Sequence, residues 1–95
     1  MKILWSRQAR DDLLDIYRYI FAENPGAARA LHKKIVSGVL ALLETPQIGR
    51  PGRVPGTREV VIPGVPYIVP YRISGEILQI LRVYHYKRLW PDSFD

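Results

Sequence analysis

Apolar residues recur every three or four positions through the first half of the chain and give way to short β-like runs in the second. Ala9, Leu13, Ile16, Tyr17 and Ile20 form one helical stripe, which predicts an amphipathic helix from Arg7 to Ala22. Ser6 precedes it as an N-cap, with Asp11 and Asp12 near its positive end. Before Ser6, Lys2 to Trp5 (KILW) reads as a first strand. Asn24-Pro25 is a second start signal, because Asn24 can cap and Pro25 fits the first helical position without losing a needed N–H. Ala28, Leu31, Ile35, Val39 and Leu42 then mark a second helix ending near Glu44. Gly38 costs that helix about 1 kcal/mol relative to alanine, or permits close packing. The link at Glu23-Asn24 is so short that the helices must form an antiparallel hairpin.

Pro46 to Gly56 is dense in glycine and proline and predicts an irregular, partly mobile loop. Strands follow over Thr57 to Ile62, Val65 to Ile73 and Glu76 to Tyr86, with turns at Pro63-Gly64 and Ser74-Gly75. Pro70 conflicts with a strand flanked on both sides, since it has no N–H to offer; a bulge or broken ladder is expected there. The resulting order is β-α-α-β-β-β, an α+β fold with the helix hairpin on one face of a small, mostly antiparallel sheet. The other face is left partly open to a partner.

Composition narrows the picture. Ninety-five residues make one domain, 1–95, with a modest core. Without cysteine there are no disulfides or thiolate metal sites, which fits a reducing cytoplasm. No apolar run approaches the roughly 20 residues of a membrane span, and MKILWSRQARDD lacks the apolar stretch of a signal peptide. The expectation is therefore a cytoplasmic protein that does not engage the membrane. The net charge of +5 is unevenly placed: residues 46–90 hold Arg50, Arg53, Arg58, Arg72, Arg82, Lys87 and Arg88 against only Glu59 and Glu76. That half suits an anionic or acidic partner, although an excess of this size also serves solubility.

Candidate chemistry is sparse. There is no phosphate-binding glycine loop, metal-ligand set or nucleophile elbow, so no metal and no cofactor is expected. His32 sits mid-helix beside Lys33 and Lys34 and reads as a solvated residue; Asp11, Asp12 and Asp15 read as a solvated helix start. The Tyr17, Tyr19, Phe21 and Trp5 group reads chiefly as core, with Tyr19 off the main stripe and available to a partner. Arg58, Arg82, His85 and Tyr86 form the one set that could act on RNA, where a proton shuttle and an arginine at the phosphorane are needed. Strand parity divides them, placing Arg82, Tyr84 and Tyr86 on one face and His85 on the other. The alternative is a pair of structural arginines, one bonded to Glu59 or Glu76, beside a His-Tyr edge.

A series of short patterns then points to a family. These are W-S-x-x-A-x-x-D-L at Trp5 to Leu13, I-x-x-Y-I at Ile16 to Ile20, N-P-x-A-A at Asn24 to Ala28, and P-x-x-G-R-P-G-R at Pro46 to Arg53. G-T-R-E at Gly56 to Glu59, P-Y-I-V at Pro66 to Val69 and I-L-R-V-x-H at Ile80 to His85 complete it. Together they resemble the RelE/ParE superfamily of bacterial toxins, most closely its ParE, or plasmid-stabilisation, branch. The resemblance implies the toxin of a type II toxin–antitoxin system, neutralised by a cognate, ParD-like antitoxin in a hetero-oligomer. In the ParE branch the implied target is DNA gyrase and there is no established active site. In the RelE branch it is messenger RNA on the ribosome, with Arg58, Arg82, His85 and Tyr86 as the matching catalytic positions. The loop Gln47 to Gly56 lacks RelE's lysine-rich set and supplies Arg50 and Arg53 instead, which favours gyrase. A third possibility is a non-toxic remnant that only binds antitoxin. On all three readings Arg50, Arg53, Arg58, Arg72, Arg82, Lys87, Arg88 and Trp90 are the expected contacts for antitoxin or target.

Overall fold

The computed structural model describes residues 1–87, and the expected α+β architecture is present. Strand β1 (Lys2–Trp5) leads into α1 (Arg7–Phe21) and α2 (Pro25–Leu40), which continues as a 3-10 turn over Ala41–Leu43. Strands β2 (Arg50–Pro51), β3 (Arg58–Val61), β4 (Tyr67–Ser74), β5 (Ile77–Ile80) and β6 (Tyr84–His85) follow. The sheet order is β1-β5-β4-β3-β2, and β6 pairs with the start of β4. All pairings are antiparallel except β1 with β5. That parallel pair is possible because everything between the two strands serves as its crossover.

Local chemistry sets the helix starts. The Ser6 hydroxyl accepts from the Ala9 N–H at 3.0 Å, and the Asn24 side chain accepts from the Ala27 N–H at 3.0 Å with Pro25 at the first helical position. Each cap satisfies one orphan donor and is worth about 1 kcal/mol. The hairpin buries Ala9, Ile35, Val39 and Leu42 against Val69, Tyr71, Leu78, Ile80 and Val83 of the sheet. Gly38 lets α2 approach Ile62 closely, since a Cβ there would lie 2.8 Å from Ile62 Cδ1. The aromatic group departs from expectation. Trp5 packs on the core, but Tyr17 only reaches its margin, Phe21 is exposed and Tyr19 is 81 % exposed. The helices rest their aliphatic stripe on the sheet, and the aromatic positions fall beside that stripe.

Side chains alternate across β4. Tyr67, Val69, Tyr71 and Ile73 face the helices, while Ile68, Pro70, Arg72 and Ser74 face away. The face turned from the helices is partly closed, because Ile68, Pro70 and Tyr84 are buried. The hairpin between β4 and β5 turns through Gly75 and Glu76, one residue later than the sequence suggests, with Gly75 at φ +59°. That is the first turn position of a type II′ turn, which favours glycine.

Pro70 has the expected consequence. Between the pairs Tyr71↔Ile80 and Ile68↔Tyr84, Val69 and Pro70 oppose three residues, Leu81, Arg82 and Val83. One extra residue makes a bulge and splits the single long strand expected over Glu76 to Tyr86. The Pro70 carbonyl still accepts from the Leu81 N–H at 3.0 Å, so the missing proline N–H falls where the ladder opens. The Pro46 to Gly56 loop also differs from its expectation, since Arg50–Pro51 forms a short strand against Arg58 and Glu59. Among the described residues no helix is long and apolar enough to cross a membrane.

Candidate functional site

The basic loop is held by groups beneath it. Glu59 is 2 % exposed and accepts from Arg50 Nε (3.3 Å), Arg50 Nη2 (3.1 Å) and the Arg53 backbone N–H (2.9 Å), with Arg53 Nε at 3.8 Å. Two guanidinium groups on one buried carboxylate satisfy a charge that could not otherwise be buried. The Tyr71 hydroxyl accepts from the Gly49 N–H (3.0 Å) and donates to the Pro46 carbonyl (2.7 Å). Arg58 lies across from Tyr71 on the helix-facing side, where its Nη1 donates to the carbonyls of Gln47 (3.1 Å) and Gly49 (2.9 Å). The loop is therefore preorganised, with Arg58 Nη1 helping to organise it.

Burial pushes the Tyr71 hydroxyl above its ordinary pKa of 10.0, outweighing the lowering by the Gly49 hydrogen bond and the nearby Arg58. With the folded pKa raised, Tyr71 contributes stability that is intact below pH 10 and is lost as pH climbs through the folded value. Tyr71→Phe should cost about 1–3 kcal/mol at neutral pH, because Gly49 N–H loses its buried partner. It should also flatten the alkaline fall in stability, leaving only the share of Tyr67, whose pKa burial also raises. Urea midpoints at pH 8 and pH 11 check this; a variant that loses stability over that interval as steeply as the parent would count against it.

Arg82 is fixed from the other side. Its Nε and Nη2 donate to the two Asp12 oxygens at 2.7 and 2.9 Å, and Asp12 Oδ2 also accepts from the Val83 N–H at 2.9 Å. The Asp12 hydrogen bonds push the Arg82 pKa up further. Six residues before Asp12, at the N-cap, the Ser6 hydroxyl donates to the Leu81 carbonyl at 2.9 Å. The start of α1 thus clamps all three bulge residues. Asp12 is a structural anchor, where the sequence suggested a solvated helix start.

The set that RNA cleavage would require is only partly brought together: Arg82 is bonded to the Asp12 that lines the His85 cleft and Tyr86 stacks on His85, while Arg58 lies apart. His85 pairs with Tyr67 on the helix-facing side, and its ring lies edge-on to Tyr67 at 5.5 Å in a small cleft that also holds Asp12 and Asp15. His85 Nδ1 accepts from the Lys87 N–H at 3.2 Å. Tyr86 stacks on His85 at 4.9 Å but reaches the opposite face, beside Arg50, Arg53 and Ile68. Arg58 aligns with Tyr71 and His85 with Tyr67, four residues apart along β4, which is about 13 Å. Of the expected contact residues, Arg50 and Arg53 meet on Glu59, Arg72 stands on the face away from the helices, and Lys87 follows Tyr86; Arg88 and Trp90 lie outside the described residues.

A concavity larger than that cleft lies elsewhere, where α1, α2 and the end of β1 meet. It measures about 630 Å³ and is floored by Trp5, Leu13, Leu14, Tyr17 and Val36, with Arg10, Arg29 and His32 also lining it. Tyr17 braces the His32 ring edge-on at 5.8 Å. An apolar trough between two helices, bordered by cations, is shaped for an amphipathic segment carrying carboxylates.

Residues 3–90 match the family model for the ParE toxin of type II toxin–antitoxin systems, parDE. The chain belongs to the ParE toxin family. It is 43 % identical over 90 residues to the candidate toxin Y4kP of Sinorhizobium fredii (strain NBRC 101917 / NGR234), covering 95 % of this chain and 93 % of that protein. A structure of the chromosomal ParDE toxin–antitoxin system from P. aeruginosa superposes with a TM-score of 0.83 at 33 % identity, covering 90 % of this chain and 95 % of that one. This protein is thus a ParE-type toxin of a type II toxin–antitoxin system, which implies an antitoxin partner. Sequence reasoning on the toxin missed Arg10 and Arg29 as lining residues. Their spacing from Leu13, Leu14 and His32 carried the signal, but each reads on its own as an ordinary solvated helix charge.

Proposed function

We propose that this ParE-type toxin arrests growth by inhibiting DNA gyrase, and that its antitoxin neutralises it by laying an acidic amphipathic segment in the groove between α1 and α2. The commitment of Arg58 and Arg82 to internal bonds carries the choice of target. Arg58 holds two loop carbonyls and Arg82 holds Asp12, while His85 shares its cleft with two aspartates. A scissile phosphate needs free positive charge beside a proton shuttle, and carboxylates there would repel it. That arrangement supports inhibition by binding over RNA cleavage. The groove supports the antitoxin reading by apolar lining and bordering charge together. Carboxylates of the antitoxin would face Arg10 and Arg29, in place of Arg58 and Arg82.

Purified toxin added to gyrase and relaxed plasmid tests the first part. The expected result is loss of supercoiling with accumulation of cleaved DNA. Full supercoiling at a stoichiometric excess of toxin would refute it. Cutting of ribosome-bound messenger RNA, abolished by Arg82→Lys with folding intact, would install the nuclease reading in its place.

A further inference from the structure

On the face turned from the helices, three cations lie on one diagonal. Arg72 is central on β4. Lys2 lies two strands away on β1, in the row of Ser74, and Arg50 lies two strands away on β2, in the row of Pro70. Two strands across and two residues along place each of them about 12 Å from Arg72. Among the described residues neither Lys2 nor Arg72 forms an ion pair, and Arg50 keeps a side-chain exposure of 54 % while bound to Glu59. The acids on or beside this face are already engaged, Glu59 by Arg50 and Arg53 and the turn residue Glu76 by the N-terminal ammonium at 3.5 Å. Around Arg72 the face presents Gln79, Ser74, Ile77 and Leu4.

We propose that this diagonal binds the phosphate backbone of duplex DNA. A line of cations on a rigid sheet, with Glu59 bridged by two arginines and the exposed Glu76 confined to the turn, complements a regular array of phosphates. The surroundings of Arg72 decide which nucleic acid. Single strands are held largely by stacking bases on aromatic rings. Across β5 the neighbours of Arg72 are Gln79 and Leu4, and the one exposed ring described on this face, Tyr86, lies at its far end beside Arg50, so no run of rings follows the diagonal. Amide and hydroxyl groups beside it suit sugar–phosphate contacts. The inference is independent of the gyrase reading, because a chain inert towards gyrase can still bind DNA.

Fluorescence anisotropy of the full chain with a labelled 20-base-pair duplex tests it between 50 and 200 mM salt. The expected affinity falls with salt at a log–log slope of about −2 to −3, near −0.9 for each phosphate neutralised. Arg72→Gln and Lys2→Gln should each make that slope shallower by about 1, with melting curves unchanged. Leu40→Gln, at the exposed end of α2 and away from the diagonal, should bind like the parent. Binding without salt dependence, parental slopes for both glutamine variants, or equal binding of single-stranded RNA or polyglutamate would each overturn the proposal. Gyrase inhibition by a chain that binds no duplex would overturn it alone and leave the gyrase reading standing.

Discussion

Asp12→Ala is expected to lower the unfolding free energy by about 3 kcal/mol. Removing one partner of a buried ion pair costs about 3–5 kcal/mol, because the remaining charge stays buried without compensation. The low end applies, since the Arg82 side chain is 25 % exposed and that of Asp12 10 % exposed. Asp12 also holds the Val83 N–H, so three donors, Arg82 Nε, Arg82 Nη2 and Val83 N, lose their acceptor at once. A loss of this size is a large part of the 5–15 kcal/mol available to a small domain, and should lower Tm by more than about 10 °C. Arg82→Met in the Asp12→Leu background should recover the part of the loss that comes from the uncompensated charge, because two apolar groups in contact need no compensation, while the Val83 N–H still lacks its acceptor. Thermal unfolding of the parent, the single variant and the double variant checks both statements. A single-variant loss below about 1 kcal/mol would mean that the pair behaves as an ordinary surface ion pair.

Leu14→Glu is expected to abolish neutralisation while leaving the toxin folded and active. Leu14 is 43 % exposed and outside the core, and glutamate has nearly the helix propensity of leucine, so the fold tolerates the change. In the complex the effect is large. A carboxylate would be desolvated in an apolar trough, opposite an antitoxin segment proposed to carry carboxylates of its own. It would also compete for Arg10, one helical turn earlier. Hot-spot losses of this kind reach 2–4 kcal/mol, and about 2.8 kcal/mol is a hundredfold in Kd. Calorimetric titration with purified antitoxin gives the affinity, and co-expression gives the phenotype: growth arrest that antitoxin no longer relieves. Parental affinity in a folded variant would move the antitoxin to another face.

Much of this was legible in the chain because its causes are local. The 3.6-residue stripes gave both helices, and Ser6 and Asn24-Pro25 gave their first residues. The element order and the disturbance at Pro70 followed from turn chemistry and from one missing N–H. The site was less legible. Arg58 stands about 13 Å along β4 from His85, and a single inserted residue after Ile80 turns Arg82 onto Asp12, in the cleft that His85 also lines.

The linear order of residues determined where both helices and most of the strands form, the α+β class of the fold, and that its second half is rich in arginine. Only the tertiary structure decided which of those arginines face outward. Asp12 and Arg82 are seventy positions apart, and no periodicity links them. Glu59 was equally open to several cations until β2 formed beside it. A buried carboxylate takes the donors that folding brings nearest, so the distribution of free charge is a property of the packed molecule.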